Sequence, residues 1–111
     1  MTSGMQLVVF PAKDLDAAKR LFSTLLGSEP YVDQAYYVGY RVGELEFGLD
    51  PNAQSAGPIC YWEVPDIEAS VASLVAAGAE LGQAPHDVGG GKRISTLIEK
   101  SGSTIGLAQS P

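Results

Sequence analysis

At 111 residues the chain suffices for one small domain, burying about two-thirds of the surface its unfolded form exposes. Thirteen acidic against seven basic residues give a net charge of -6, which with no basic run excludes the clustered positive footprint of a nucleic-acid-binding face. No apolar stretch approaches the roughly 20 residues that cross a bilayer, and the one cysteine, Cys60, excludes an intrachain disulfide and suits a reducing compartment, so a cytoplasmic protein without membrane or nucleic-acid partners is expected.

Gln6 to Ala12 reads as a strand, rich in branched and aromatic residues and ended at Pro11 by a charged turn. Leu15, Ala18, Phe22, Leu25 and Leu26 then recur at helical spacing, with Asp14 placed to cap the start and Gly27 the end. Tyr31 to Asp50 holds two or three antiparallel strands, with Gly43-Glu44 as a hairpin turn. Pro51 to Pro58 is polar and turn-forming, and it joins this half to a second one.

The second half repeats the order. A strand over Ile59 to Val64 leads to a helix with Ile67, Val71, Leu74 and Val75 on one face, Asp66 as its cap and Gly78 at its end. Ala79-Glu80-Leu81 follows, then the loop Pro85 to Gly91, a strand over Arg93 to Glu99, a turn at Lys100-Ser101-Gly102 and a last strand over Thr104 to Ala108. Ala12-Lys13-Asp14-Leu15-Asp16-Ala17-Ala18 in the first half answers Val64-Pro65-Asp66-Ile67-Glu68-Ala69-Ser70 in the second, and Phe47-Gly48-Leu49 answers Ile105-Gly106-Leu107. The chain is a tandem repeat, and function is to be sought at equivalent positions of the two copies.

These features resemble the vicinal oxygen chelate superfamily, which includes glyoxalase I, bleomycin-resistance proteins, extradiol dioxygenases and methylmalonyl-CoA epimerase. The resemblance rests on the two strand-Asp-helix openings, on Gly57-Pro58 before the second half, on Asp87-Val88-Gly89-Gly90-Gly91, and on Lys100-Ser101-Gly102-Ser103-Thr104-Ile105-Gly106-Leu107, a worn version of the family's closing motif. It implies an α+β fold of two β-α-β-β-β modules, about 5–50 and 58–109 with a linker over 51–57, forming a curved mixed sheet around a cavity with one helix per module outside. One domain then spans 1–111, and relatives are commonly homodimers.

The family's metal-dependent members bind a divalent ion through four symmetry-related strand positions. By resemblance these fall on Leu7, Gly48, Ile59 and Gly106, none of which carries a donor side chain, whereas a metal site needs several converging oxygen, nitrogen or sulfur ligands. No metal and no other cofactor is expected.

Strand alternation sorts Val9, Glu46, Tyr61, Glu63, Arg93, Ser95 and Leu97 toward the cavity. The same rule sends Val8, Phe10, Leu45, Phe47, Leu49, Cys60, Trp62, Val64, Ile105 and Leu107 beneath the helices. Trp62 is expected in the core under the second helix, with a ligand-stacking role as the alternative. Tyr37, with Tyr31, Tyr36 and Tyr40, would supply an aromatic wall with hydroxyl handles. Arg93 would orient a carboxylate or planar acceptor, and Glu46 or Glu63 could serve as a base. His86, the only histidine, lies in the glycine-rich loop, where a solvated role is the more frequent one.

The expected ligand-binding set is therefore Val9, Tyr37, Glu46, Tyr61, Glu63, Arg93, Ser95 and Leu97, with no catalytic residue assigned. The expected function is metal-independent binding of a small molecule, an antibiotic or another apolar or aromatic metabolite held by sequestration. The alternative is a glyoxalase-like lyase, isomerase or dioxygenase-type enzyme working through carboxylate acid/base chemistry.

Overall fold

Aspartates start both helices. In the computed structural model, which describes residues 1–111, the Asp14 carboxylate accepts the Ala17 N–H and the Asp66 carboxylate accepts the Ala69 N–H, at 3.1 Å each. Each therefore satisfies an amide that a helix start leaves without a partner. Helix α1 runs Leu15–Leu26 and stops at Gly27, whose left-handed φ of 67° a side chain would resist. Helix α2 runs Ile67–Ala76 and ends at Ala77, one residue before the expected glycine.

Two helices and nine strands make up the chain, with parallel and antiparallel pairings mixed, an α+β fold. The residues fall into two compact units, Gln6–Ile59 and Cys60–Pro111, the second also including Met1–Met5.

The first unit holds the expected β-α-β-β-β order, as β1 (Gly4–Pro11, all but its first two residues), α1, β2 (Val32–Gln34), β3 (Tyr37–Val42) and β4 (Leu45–Asp50). Its strands lie side by side as β2-β3-β4-β1. Gly43 and Glu44 form the hairpin connection, with Val42 opposite Leu45 and Gly43 at φ 62°. That fixed register sets Arg41 opposite Glu46 and Gly39 opposite Gly48.

Alternation then divides the sheet. Val38, Tyr40, Phe47 and Leu49 are buried with Ala12, packed against Val8, Phe10, Leu15, Ala18, Phe22 and Leu26. Phe10, Phe22 and Phe47 form an aromatic triangle with ring centroids 4.7 to 5.5 Å apart, a spacing at which edge-to-face contacts add to the area buried. The hydroxyl of buried Tyr40 shares a hydrogen with Ser23 Oγ at 2.7 Å and lies 3.1 Å from the Lys19 carbonyl, so its polar tip is satisfied by α1. Leu25 departs from expectation: it is 71% exposed, because at about 100° per residue it falls to one side of the stripe that Leu15, Phe22 and Leu26 turn to the core.

The second unit contains β5 (Ile59–Glu63, all but its first residue), α2, β6 (Glu80–Leu81), β7 (His86–Asp87), β8 (Arg93–Ile98) and β9 (Thr104–Gln109). Here the order is β5-β9-β8-β6, with the two-residue β7 also on β8, in a segment expected as loop. Val64, Ile67, Leu97 and Leu107 form its core, with Val71, Leu74 and Ala79 packed against them. Gln109 on β9 accepts the Ile67 N–H at 2.7 Å, tying the start of α2 to the last strand.

Two expectations for this unit are corrected. Leu97 sits in the α2 core, because β8 meets β9 with Leu97 opposite Ile105 and Ser95 opposite Leu107. The turn after β8 sets that pairing through the Glu99 N–H to Ser103 carbonyl bond at 2.9 Å, so Ser95 and Arg93 share Leu97's face and it is Thr96 that shares the face of Gly106. Trp62 lies outside the core cluster and is 39% exposed; Val64, at the end of the same strand face, is the residue that packs under α2.

Candidate functional site

The first unit's face away from α1 is built by residues that alternate with the core set: Leu7, Val9, Tyr37, Gly39, Arg41, Glu46 and Gly48. Val9, Tyr37 and Glu46 were expected on this face and are found there. Tyr31 precedes β2 and is anchored through its N–H, which donates to the Gly39 carbonyl at 2.9 Å.

Glu46 is the hub. Tyr37 donates its hydroxyl to Glu46 Oε2 at 2.5 Å, and Tyr31 donates its own to Oε1. Arg41, the cross-strand partner of Glu46, places its guanidinium 5.1 Å from the centre of the Tyr31 ring, with Nη2 3.4 Å from the Tyr31 hydroxyl. The cation therefore lies on an aromatic face whose hydroxyl points at a carboxylate. Burial pushes the Tyr37 phenol far above its ordinary range, reinforced by the hydrogen bond to Glu46 and that group's negative charge. Tyr31 is raised by the same causes in the same order, with Arg41 pulling the other way. Both phenols thus stay protonated donors at neutral pH.

Glycine makes room for this. A Cβ on Gly39 would come 3.1 Å from Tyr37 Cε2, and one on Gly48 would come 2.6 Å from Cε1 and Cζ and overlap the hydroxyl oxygen. Since Cε1 and Cε2 are opposite edges of the ring, the phenol lies flat across both strands in a slot that exists because neither residue has a side chain.

The second unit shows a related device. Tyr61 lies over Gly106, where a Cβ would come 2.5 Å from Cδ2 and 2.7 Å from Cγ. Glu63 is engaged otherwise: Oε1 accepts the Ser110 N–H at 2.7 Å, and its carbonyl accepts the Thr2 hydroxyl at 2.6 Å and the Ser3 N–H at 3.1 Å. Arg93 donates to Glu68 on α2 at 2.6 Å, and the Ser95 hydroxyl donates to the Gln83 carbonyl at 2.6 Å. Arg93, Ser95 and Leu97, sorted toward the cavity by sequence, thus serve the α2 side of their unit. His86 is exposed, with Nδ1 2.9 Å from the Ala84 carbonyl.

Leu7, Gly48, Ile59 and Gly106 carry no donor side chain, phenol rings fill the space over the two glycines, and no three His, Cys, Asp or Glu side chains come together as a group.

Arg41 escaped the sequence reading, and Tyr31 entered it only as one of a cluster. A signal was there: counting outward from Gly43-Glu44 sets Arg41 against Glu46 and Gly39 against Gly48. Composition and alternation alone do not reveal it.

By sequence, no family profile and no curated protein matches the chain. By structure it is similar to a glyoxalase/bleomycin resistance protein/dioxygenase superfamily member from Vibrio splendidus 12B01, with a TM-score of 0.74 and 15% identity over 96% of this chain and 99% of that one. It is similar to methylmalonyl-CoA epimerase of Streptomyces coelicolor in complex with 2-nitronate-propionyl-CoA, with a TM-score of 0.76 and 18% identity over 99% of each chain. A structure described as NAD-dependent benzaldehyde dehydrogenase from Legionella pneumophila matches with a TM-score of 0.75 and 12% identity, over 95% of this chain and 98% of that one. What is shared at such identities is the fold, and it is the fold the sequence resemblance implied.

Proposed function

We propose that the chain is a metal-independent small-molecule binding protein of the glyoxalase/bleomycin-resistance type, which sequesters an apolar or aromatic metabolite or antibiotic against the open face of its first unit. The observation that carries this reading is the Tyr31, Glu46 and Tyr37 constellation beside Arg41. Tyrosine rings supply large rigid contact area at small entropic cost, and Leu7 and Val9 extend the apolar floor. Arg41 forms no ion pair, so its guanidinium donors suit a carbonyl or carboxylate at the ligand's polar end. Support from the fold is coarser: a structural neighbour was solved holding a CoA ester analogue.

Sequestration asks only for affinity. Proton abstraction would need a carboxylate oxygen turned toward substrate, whereas both oxygens of Glu46 are engaged by phenol hydroxyls and Glu63 Oε1 by the Ser110 amide. The acid/base alternative therefore stands second.

The test is a thermal-shift screen of the wild-type protein against aromatic metabolites and antibiotics, with and without a chelator. At least one compound raises the melting temperature equally in both conditions, and Arg41→Ala or Glu46→Leu weakens it about tenfold, the equivalent of about 1.4 kcal/mol. Stabilisation that vanishes with chelator, or affinity untouched by both substitutions, overturns the reading.

A further inference from the structure

The slot over Gly39 and Gly48 is already occupied, and its occupant is informative. Tyr37 supplies a flat six-membered ring that spans both strands and a hydroxyl that reaches Glu46 Oε2 at 2.5 Å. Val32 closes one side, with its Cβ 3.4 Å from where a Gly39 side chain would begin. The other oxygen of Glu46 accepts a second phenol, that of Tyr31. The carboxylate is thus flanked by hydroxyl-bearing rings, while the glycine pair sets the thickness of what can lie between it and the backbone.

We propose that this slot is a recognition subsite for a hydroxylated aromatic ring, which Tyr37 fills from within the chain and a ligand phenol enters by displacing it. Three features define the ligand class. The two side-chain-free positions admit the thickness of a planar ring and not the greater thickness of a branched aliphatic group. Glu46, an acceptor only, demands a donor at the ring's edge, so a hydroxyl is held and a methyl or a carboxylate is refused. The slot's length, from above Gly39 to above Gly48, is that of one ring plus its hydroxyl. Tyr37 is placed to leave, since it is the first residue of β3, after the two-residue turn at Ala35 and Tyr36, and swinging out moves no core side chain. The affinity of a ligand phenol for the wild type is reduced by the fraction of time Tyr37 holds the slot.

This inference rests on the reading of the first unit's open face as a ligand site, and its test is separable from that one. Tyr37→Ala empties the slot, and p-cresol, the side chain it lost, is the probe, with toluene as the ring without the donor. The variant is expected to bind p-cresol at least about tenfold more tightly than the wild type does, by calorimetry and melting temperature, and to prefer it to toluene by about tenfold. Glu46→Leu added to Tyr37→Ala abolishes that preference. A folded Tyr37→Ala protein indifferent to p-cresol, or one that takes toluene equally well, overturns the proposal even if the wild-type screen yields a ligand elsewhere. Conversely, a screen without hits leaves the p-cresol result standing and removes only the sequestration reading. Should Tyr37→Ala fail to fold without additive, recovery of the native circular dichroism on refolding with p-cresol and not with toluene is read as binding. Tyr37→Val, which favours the strand, then serves for the titrations, with the same outcomes deciding.

Discussion

Gly48→Ala is a one-methyl substitution whose sign depends on another residue. The backbone at Gly48 is ordinary strand, with no positive φ, so alanine meets no conformational strain there and would by itself gain about 0.4–1 kcal/mol by restricting the unfolded chain. Against this, the new Cβ would overlap the Tyr37 hydroxyl and stand 2.6 Å from two ring carbons. The ring must leave the slot, giving up its hydrogen bond to Glu46, and a hydrogen bond to a charged group contributes about 1.5–3 kcal/mol. The net expectation is a loss of about 1–2 kcal/mol in the wild type, the hydrogen bond less the backbone gain. In a Tyr37→Ala background no ring is displaced, and the same substitution is neutral or stabilising by up to about 1 kcal/mol. Urea unfolding of the four proteins in this double-mutant cycle, with circular dichroism and fluorescence together to check two-state behaviour, gives a coupling of about 2 kcal/mol. An equal effect of Gly48→Ala in both backgrounds would refute the reasoning, since it would mean that the glycine is not there for the ring.

The remaining expectations are simpler. Phe47→Ala removes the ring that touches Phe10, Phe22 and Tyr40 and costs about 3–5 kcal/mol, measured by urea unfolding; a loss below 1 kcal/mol would show that the triangle does not hold α1. Asp66→Ala leaves the Ala69 amide without its carboxylate and lowers stability by about 1 kcal/mol, while Asp66→Asn retains most of it; equal melting temperatures for both variants would contradict the capping role. The raised Tyr37 phenol makes a statement about pH: the native state holds a proton that the unfolded chain releases near pH 10, so the contribution is whole below that value and declines as pH rises above it. Melting temperature should fall less steeply between pH 9 and 11 in Tyr37→Phe than in the wild type, and parallel curves would dismiss the phenol as their source.

Much of the fold was legible because its signals are local. Asp14 and Asp66 announce helices, Gly27 ends one, and Gly43-Glu44 fixes a hairpin, each through chemistry that acts within a few residues. Val9 and Glu46 followed from alternation along strands whose core face is strongly apolar, and Tyr37 from the tyrosine cluster between Tyr31 and Tyr40. The second unit resisted the same treatment at β8, where Arg93, Ser95 and Leu97 carry no clear apolar stripe and the turn after Ile98 decides the register. Trp62 went astray for a related reason: alternation gives the face of a strand, not how far the helix above it extends. Arg41 and Tyr31 belong to the site through pairings across a hairpin, so only a count of opposed residues reveals them. Glu63 illustrates the opposite failure, a carboxylate on a favourable face that the chain uses to hold its own Ser110.

The two tyrosine-covered glycines differ in one respect. Gly48 and Gly106 are equivalent under the repeat, yet the ring over Gly48 comes from β3, the antiparallel neighbour of its strand, and the ring over Gly106 comes from β5, the parallel neighbour. The two halves reach the same end from opposite sides, so each closes the space over its glycine with a ring supplied by a different strand of its own unit. A chain assembled from two first halves would not reproduce this protein, for the symmetry that organises its backbone no longer extends to its contents.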